Sequence, residues 1–322
     1  MVGSTEKLTG TVFKAQSGFF SVQTPAGSMV CQIKGRLRKE RLDTRDIVTV
    51  GDQVVVEPAG DGTGVIAEVL PRTSVLSRRA PIPYPGYRGE LEHVIVANPD
   101  QAVFVFAAAE PAPHLRMLDR LLVAAEASHL PALICVNKID LVPLEAAQAV
   151  FKLYSDIGYE ILYTSAKTGF GIEELRRRLI GKLSVLAGPS GVGKSSLLNA
   201  IQPGLGLYSR EVSRATTKGR HTTVVPELLH LEGGGYVADT PGLRGMALWD
   251  IEPEELDAYF RDIRPHVADC EFSDCTHRHE PGCAVRAAVE RGLIHPARYQ
   301  SYVRLREETE AEARKRILKR GV

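Results

Sequence analysis

Gly188-Pro189-Ser190-Gly191-Val192-Gly193-Lys194-Ser195, with Ser196 following, fits the pattern GxxxxGKS/T. Its glycines free backbone N–H groups to converge on phosphate oxygens, and the helix start behind them adds a positive dipole end. Lys194 is placed to neutralise the β and γ phosphates, and the Ser195 hydroxyl to hold magnesium. The context is right, because the apolar run LSVLA precedes the motif and SLLNAI follows.

Three further strings extend that chemistry. Asn137-Lys138-Ile139-Asp140 follows the apolar run PALICV. A carboxylate there accepts two hydrogen bonds from guanine N1 and N2, an arrangement adenine cannot supply, and leaving it unpaired costs on the order of several kcal/mol. Asn137 either ties this loop to its neighbours or reaches the base, while the Lys138 stem covers the ring. Thr164-Ser165-Ala166-Lys167 follows EILY, where backbone N–H groups of Ser165, Ala166 and Lys167 can meet guanine O6. Asp239-Thr240-Pro241-Gly242 reads as DxxG, with Asp239 reaching magnesium through water and the Gly242 amide bonding the γ-phosphate. Between them, in Gly219-Arg220-His221-Thr222-Thr223, Thr222 is the first choice and Thr223 the second for a magnesium-bound hydroxyl.

Cys270-x4-Cys275-x-His277-x5-Cys283 offers three thiolates and one imidazole, the donor set of a closed tetrahedral zinc site and hence of a structural metal. His279, His266 and His230 are alternative ligands. Three of the five cysteines crowd here, which favours metal over disulfide in a reducing compartment.

The elements that position these groups follow from pattern. From about residue 8 to 70, five short alternating runs suggest a small barrel of the OB or SH3 kind. Its KGRLRKERLDTR loop carries Lys34, Arg36, Arg38, Lys39, Arg41 and Arg45, either a solvated loop or a grip on a nucleic-acid backbone. Residues 71–92 read as a linker rich in proline, glycine and arginine. Apolar strands then alternate with amphipathic helices, as in a parallel sheet covered on both faces, and TTVVPELLHL with GGGYVAD forms a hairpin at one edge. Past about 250 a helical segment, IEPEELDAYFRDIR, precedes the cysteines, and QSYVRLREETEAEARKRILKR closes the chain as a charged helix with a solvated face. The fold class is therefore α/β: a P-loop domain over 73–248, flanked by a small OB- or SH3-type β-barrel over 1–72, whose basic loop is the candidate RNA contact, and a helical zinc-binding domain over 249–322.

The motif order is permuted. Ordinary GTPases run phosphate loop, switch threonine, DxxG, NKxD, SAK, whereas here NKID and TSAK precede the phosphate loop. Both segments that sense the γ-phosphate, roughly 209–223 and 239–247, thus lead directly into the final domain. This order, together with GPSGVGKSS, NKID, GRHTT and DTPG, resembles the RsgA family of circularly permuted GTPases, as does the cysteine spacing. The resemblance spans nearly the whole chain. It implies an OB barrel, a permuted GTPase domain, a carboxy-terminal zinc domain, and late maturation of the bacterial small (30S) ribosomal subunit with hydrolysis stimulated by that particle.

Where many GTPases place a water-orienting glutamine after DxxG, this chain has Leu243, so slow unassisted turnover is expected. Either His221 swings in as a catalytic group beside Lys194, or a partner completes the site. The rival readings are a non-enzymatic RNA-binding adaptor using GTP as a conformational ligand, and a signalling GTPase with protein partners. In 322 residues with 44% hydrophobic and 25% charged content, a net charge of +1 gives no global basic field, so RNA contact must be local. No signal peptide or membrane span is legible. The expectation is a cytoplasmic monomer that binds GTP and GDP with magnesium, carries one structural zinc, and has the small ribosomal subunit and its rRNA as partners.

Overall fold

A computed structural model describes residues 6–35, 37, 47–79, 92–205, 227–239 and 251–320. Strands β1 (Leu8–Gln16), β2 (Phe19–Thr24), β3 (Gly27–Ile33), β4 (Gln53–Gly60) and β5 (Thr63–Val69) close into a barrel in the order β1-β2-β3-β5-β4. Period-two alternation sends Val12, Phe20, Val22, Cys31, Val54, Val56 and Ile66 inward as its core. The pairing of β3 with β5 is parallel and the other pairings are antiparallel. In the basic loop, Lys34 pairs with Glu57 at 2.9 Å. Arg36, Arg38, Lys39, Arg41 and Arg45 lie outside the described residues.

The expected linker is in part a sheet. Strand β6 (Val75–Arg79) pairs antiparallel with β7 (Glu92–Ala97), and Leu76 and Val96 are buried. The apolar signal in β6 spans only two residues before a polar run, so no period was available to read. Barrel and sheet are fastened together here. Arg72 binds the buried Asp52 through two nitrogens at 2.7 and 2.8 Å, and the Asn98 amide donates to the Gly51 carbonyl at 3.0 Å. Gly51 has φ +90°, and a Cβ on it would lie 1.9 Å from the Ala97 carbonyl oxygen, so no larger residue fits this junction.

The central sheet comprises β8 (Gln101–Ala107), β9 (Ala132–Asn137), β10 (Glu160–Tyr163), β11 (Leu183–Ala187), β12 (Leu228–His230) and β13 (Tyr236–Asp239), in the order β10-β9-β8-β11-β13-β12. All pairings are parallel except that of β12, the expected edge hairpin with β13. Helices α1 (Leu115–Ala127), α2 (Leu144–Asp156), α3 (Ile172–Leu179) and α4 (Lys194–Ile201) cover its faces. Phe104, Phe106 and Ile134 pack on Leu118, Leu122 and Phe151 on one side, while Val103, Val105 and Leu133 pack on Leu175, Leu197 and Leu198 on the other.

The C-terminal part departs from expectation in two places. The anticipated helix around IEPEELDAYFRDIR is a 3-10 stretch, Pro253–Tyr259, followed by a short helix α5 (Arg264–Val267). Helices α6 (Ala284–Glu290) and α7 (Pro296–Arg320) follow. Helix α7 is not simply a solvated rod, because Arg298, Tyr302, Leu305, Arg306 and Thr309 are buried along one face. The charge count concealed this face because two of its members are arginines. Arg298, 1% exposed, bonds Asp119 of α1 at 2.6 Å and Asp262 at 2.8 Å, and stacks over Phe260. Burial disfavours its charge, but Asp119 and Asp262 outweigh that and hold its pKa above the ordinary value. Among the described residues no helix is long and apolar enough to cross a membrane.

Candidate nucleotide site and metal centre

Three loops at the carboxyl ends of β9, β10 and β11 meet, which is where ligands of parallel sheets bind. The phosphate loop runs from β11 into α4. Gly188 takes φ +151°, and a Cβ on it would stand 2.0 Å from the Val105 carbonyl oxygen. Gly193 takes φ +93°, with its Cβ position 2.5 Å from the Asn137 amide nitrogen. The Lys194 ammonium lies across the loop, donating to the Gly188 and Pro189 carbonyls at 2.8 Å each. Ser195 is half-buried in the first turn of α4, while Ser190, Gly191 and Ser196 are exposed.

Asn137 is the junction of the three loops. Its amide nitrogen donates to the Val192 carbonyl at 2.9 Å, and its carbonyl oxygen accepts from the Ala166 backbone N–H at 3.2 Å. Of the two roles open to Asn137, tying the loops is the one the geometry displays. The Ala166 amide, expected at the base, is thereby engaged within the protein. Lys138 adopts the left-handed conformation, φ 63°, and its ammonium donates to the Glu110 carbonyl in the loop before α1. The Ile139 backbone N–H donates to the Thr164 carbonyl at 3.3 Å.

The Asp140 carboxylate accepts from the Ser165 hydroxyl at 2.6 Å and faces the Lys167 ammonium at 3.8 Å. The Ser165 bond foremost, with help from the charges of Lys167 and Lys138, holds this carboxyl below the usual aspartate range. It is thus an ionised acceptor with one oxygen oriented in advance. Asp239 ends β13, in register with Leu186 of β11 beside the phosphate loop. His221, Thr222, Thr223, Gly242 and Leu243 lie outside the described residues.

Cys270, Cys275, His277 and Cys283 converge, their ligand atoms all within 4.8 Å of one another. Neither His279, which is exposed, nor His266 or His230 joins them. The His277 Nδ1 atom is 3.5 Å from both Cys270 Sγ and Cys283 Sγ. Tetrahedral zinc with bonds of about 2.3 Å to sulfur and about 2.0 Å to nitrogen requires a separation of about 3.5 Å. The residues therefore fit the ion. Burial pushes the Cys275 thiol up to about 12, a cost that a bound cation offsets by favouring thiolate.

The loop between the ligands is shaped by Glu280, whose carboxylate accepts from the Thr276, Arg278 and His279 backbone N–H groups at 2.9, 3.0 and 3.1 Å. Desolvation works against ionisation, but the Thr276 hydroxyl and these N–H groups hold its pKa well below the carboxylate range. Glu280, Glu110 and Asp257 (whose carboxylate meets the far side of the His277 ring) were missed in the sequence. None belongs to a recognisable spacing, and each acts through tertiary contact.

Comparison with known proteins shows the family and the overall fold. A family model described as RsgA GTPase matches residues 69–249, and one described as RsgA N-terminal domain matches 9–66. A protein of Gemmatimonas aurantiaca named small ribosomal subunit biogenesis GTPase RsgA is 47% identical over 94% of this chain and 98% of its own length. A relative of the same name from Moorella thermoacetica is 45% identical over 92% and 95%. The crystal structure of YjeQ from Thermotoga maritima superposes with a TM-score of 0.76 at 38% identity, covering 94% of this chain and 99% of that one. The crystal structure of YloQ, described as a circularly permuted GTPase, gives 0.74 at 34% identity, covering 97% and 98%.

Proposed function

The chain belongs to the RsgA family of circularly permuted GTPases, and from that premise we propose that it hydrolyses GTP to GDP and phosphate as a late assembly factor of the small ribosomal subunit. The observation that carries this reading is the Asn137 tie, which holds the loop leading to Asp140 and the 164–167 loop against the phosphate loop.

In this reading Asp140 takes guanine N1 and N2, and the Lys138 stem with the Ser165-Ala166-Lys167 loop encloses the base. Backbone N–H groups from Ser190 to Ser196 hold the phosphates, and Lys194 neutralises charge that grows on the γ-phosphate as its bond breaks. Ser195, Thr222 and Asp239 would hold magnesium, which when bound offsets β and γ phosphate charge. Leu243 cannot orient water, so His221 or the bound particle completes the site. The cysteine and histidine cluster would hold one zinc ion as a structural clamp, with no open position for chemistry.

The division into a barrel over 1–72, a GTPase domain over 73–248 and a zinc domain over 249–322 belongs to the same proposal. So do RNA binding by the barrel, a monomeric state and a cytoplasmic setting, where the substrate particle is found. GTP turnover measured with and without purified small subunits tests the function. Strong stimulation is expected; an unchanged rate would favour the adaptor reading. Particle binding that falls steeply with salt supports RNA contact, and a flat dependence supports protein contact.

A further inference from the structure

We propose that Asp257 is a positioning residue of the metal centre, fixing the His277 ring so that Nδ1 is the ligand atom and fastening the centre to the segment that packs on the GTPase core. The His277 ring is fully buried and its two nitrogens face different partners. Nδ1 points at the Cys270 and Cys283 sulfurs, 3.5 Å from each, and Nε2 lies 3.0 Å from Asp257 Oδ2.

An ionised carboxylate accepts hydrogen bonds but donates none. The Nε2 atom must therefore carry the hydrogen, which in a neutral imidazole leaves the lone pair on Nδ1, aimed at the sulfurs. Outer carboxylates orient the ring in the same way at histidine–metal sites generally. Asp257 belongs to the 3-10 stretch Pro253–Tyr259, which packs on α1 and α7 with Leu256 fully buried. One hydrogen bond thus links the ligand set to the interface with the GTPase core. Nothing in the ligand spacing announces this residue, which lies outside the Cys270 to Cys283 motif.

The inference rests on reading the four residues as metal ligands, so metal content of the purified full chain is measured first. A chain that takes up no zinc or cobalt overturns that reading itself. With the cobalt-substituted chain, Asp257→Ala is expected to shift the visible ligand-field bands and to speed metal loss to a chromogenic chelator on the order of 10- to 100-fold. Asp257→Asn, whose side-chain oxygen accepts the same hydrogen, should restore the bands and most of the retention. Tyr299→Phe removes a 2.7 Å bond to the His277 carbonyl without touching the ring, and should keep the parent spectrum. If Asp257→Ala does not fold, Asp257→Ser, too short to reach the ring, takes its place. Parent-like spectra and release in the alanine or serine variant, or equal loosening by Tyr299→Phe, would overturn the proposal.

Discussion

The side-chain amide of Asn137 donates to the carbonyl of Val192 at 2.9 Å, bridging the strand end that carries the candidate base-recognition loop and the loop that carries the phosphate motif. Both groups are buried, so removing one leaves the other unpaired at a cost of about 1–3 kcal/mol. Asn137→Ala also strips the Ala166 N–H of its acceptor. The expected result is about 10- to 100-fold weaker binding of both GDP and GTP in a fluorescent-nucleotide titration, because the tie touches neither the γ-phosphate nor its sensors. Loss confined to GTP, or no loss, would contradict this role.

Ser165→Ala tests how Asp140 is prepared for the base. The hydroxyl holds the carboxyl below the ordinary aspartate value, so its contribution is present above about pH 3.9 and is lost as pH falls through the lower native value. Without the hydroxyl the carboxyl rises toward its ordinary value. Guanine affinity should fall about fivefold at pH 7, for one lost hydrogen bond of about 1 kcal/mol. It should also begin its acid decline at a higher pH than in the parent. An acid limb that does not move would show that Lys167 and Lys138, not Ser165, set the charge.

These two positions also show how far the sequence reaches. NKID and TSAK were legible because each is a contiguous string at the end of an apolar strand, and their convergence follows from parallel-sheet topology. That Asn137 ties loops and Ser165 serves Asp140 is a matter of side-chain direction, which a string does not encode. The four candidate metal ligands were legible from donor types and spacing, whereas Asp257 was not, since its nearness to His277 depends on how the 3-10 stretch packs. Strand β6 failed for a different reason, its apolar signal being too short to carry a period. The buried face of α7 was hidden because Arg298 is interior by virtue of two aspartates far away in sequence.

Two glycines of the phosphate loop separate folding from binding. Alanine at Gly188 would place its Cβ 2.0 Å from the Val105 carbonyl oxygen, within the sheet, where backbone cannot yield. Gly188→Ala should therefore lower the thermal midpoint as well as abolish binding. Alanine at Gly193 meets the end of the Asn137 side chain, 2.5 Å away, which can swing aside at the expense of its bonds. Gly193→Ala should lose nucleotide affinity with a far smaller change in midpoint, read by calorimetry and titration on the same samples. Equal destabilisation by both would refute the distinction.

Arg298 makes the sharpest stability prediction. Its guanidinium holds Asp119 of α1 and Asp262 ahead of α5, all three nearly excluded from solvent, and Tyr154 adds a 2.8 Å bond to Asp119. Arg298→Leu leaves two buried carboxylates without their counter-charge, a change that costs about 3–5 kcal/mol. At roughly 2–4 °C per kcal/mol, the midpoint of the unfolding step that releases the C-terminal part should drop on the order of 10 °C. Glu308→Ala, which removes the half-exposed pairs with Arg116 and Arg120, should cost under about 1 kcal/mol. The same contact bears on function. Helix α1 docks the C-terminal part through Asp119, while the loop preceding α1 offers the Glu110 carbonyl to Lys138 at the nucleotide site. Loosening the dock should therefore depress particle-stimulated turnover more than intrinsic turnover, since only the former needs both parts held in register. Equal depression of the two rates would assign Arg298 to general stability alone.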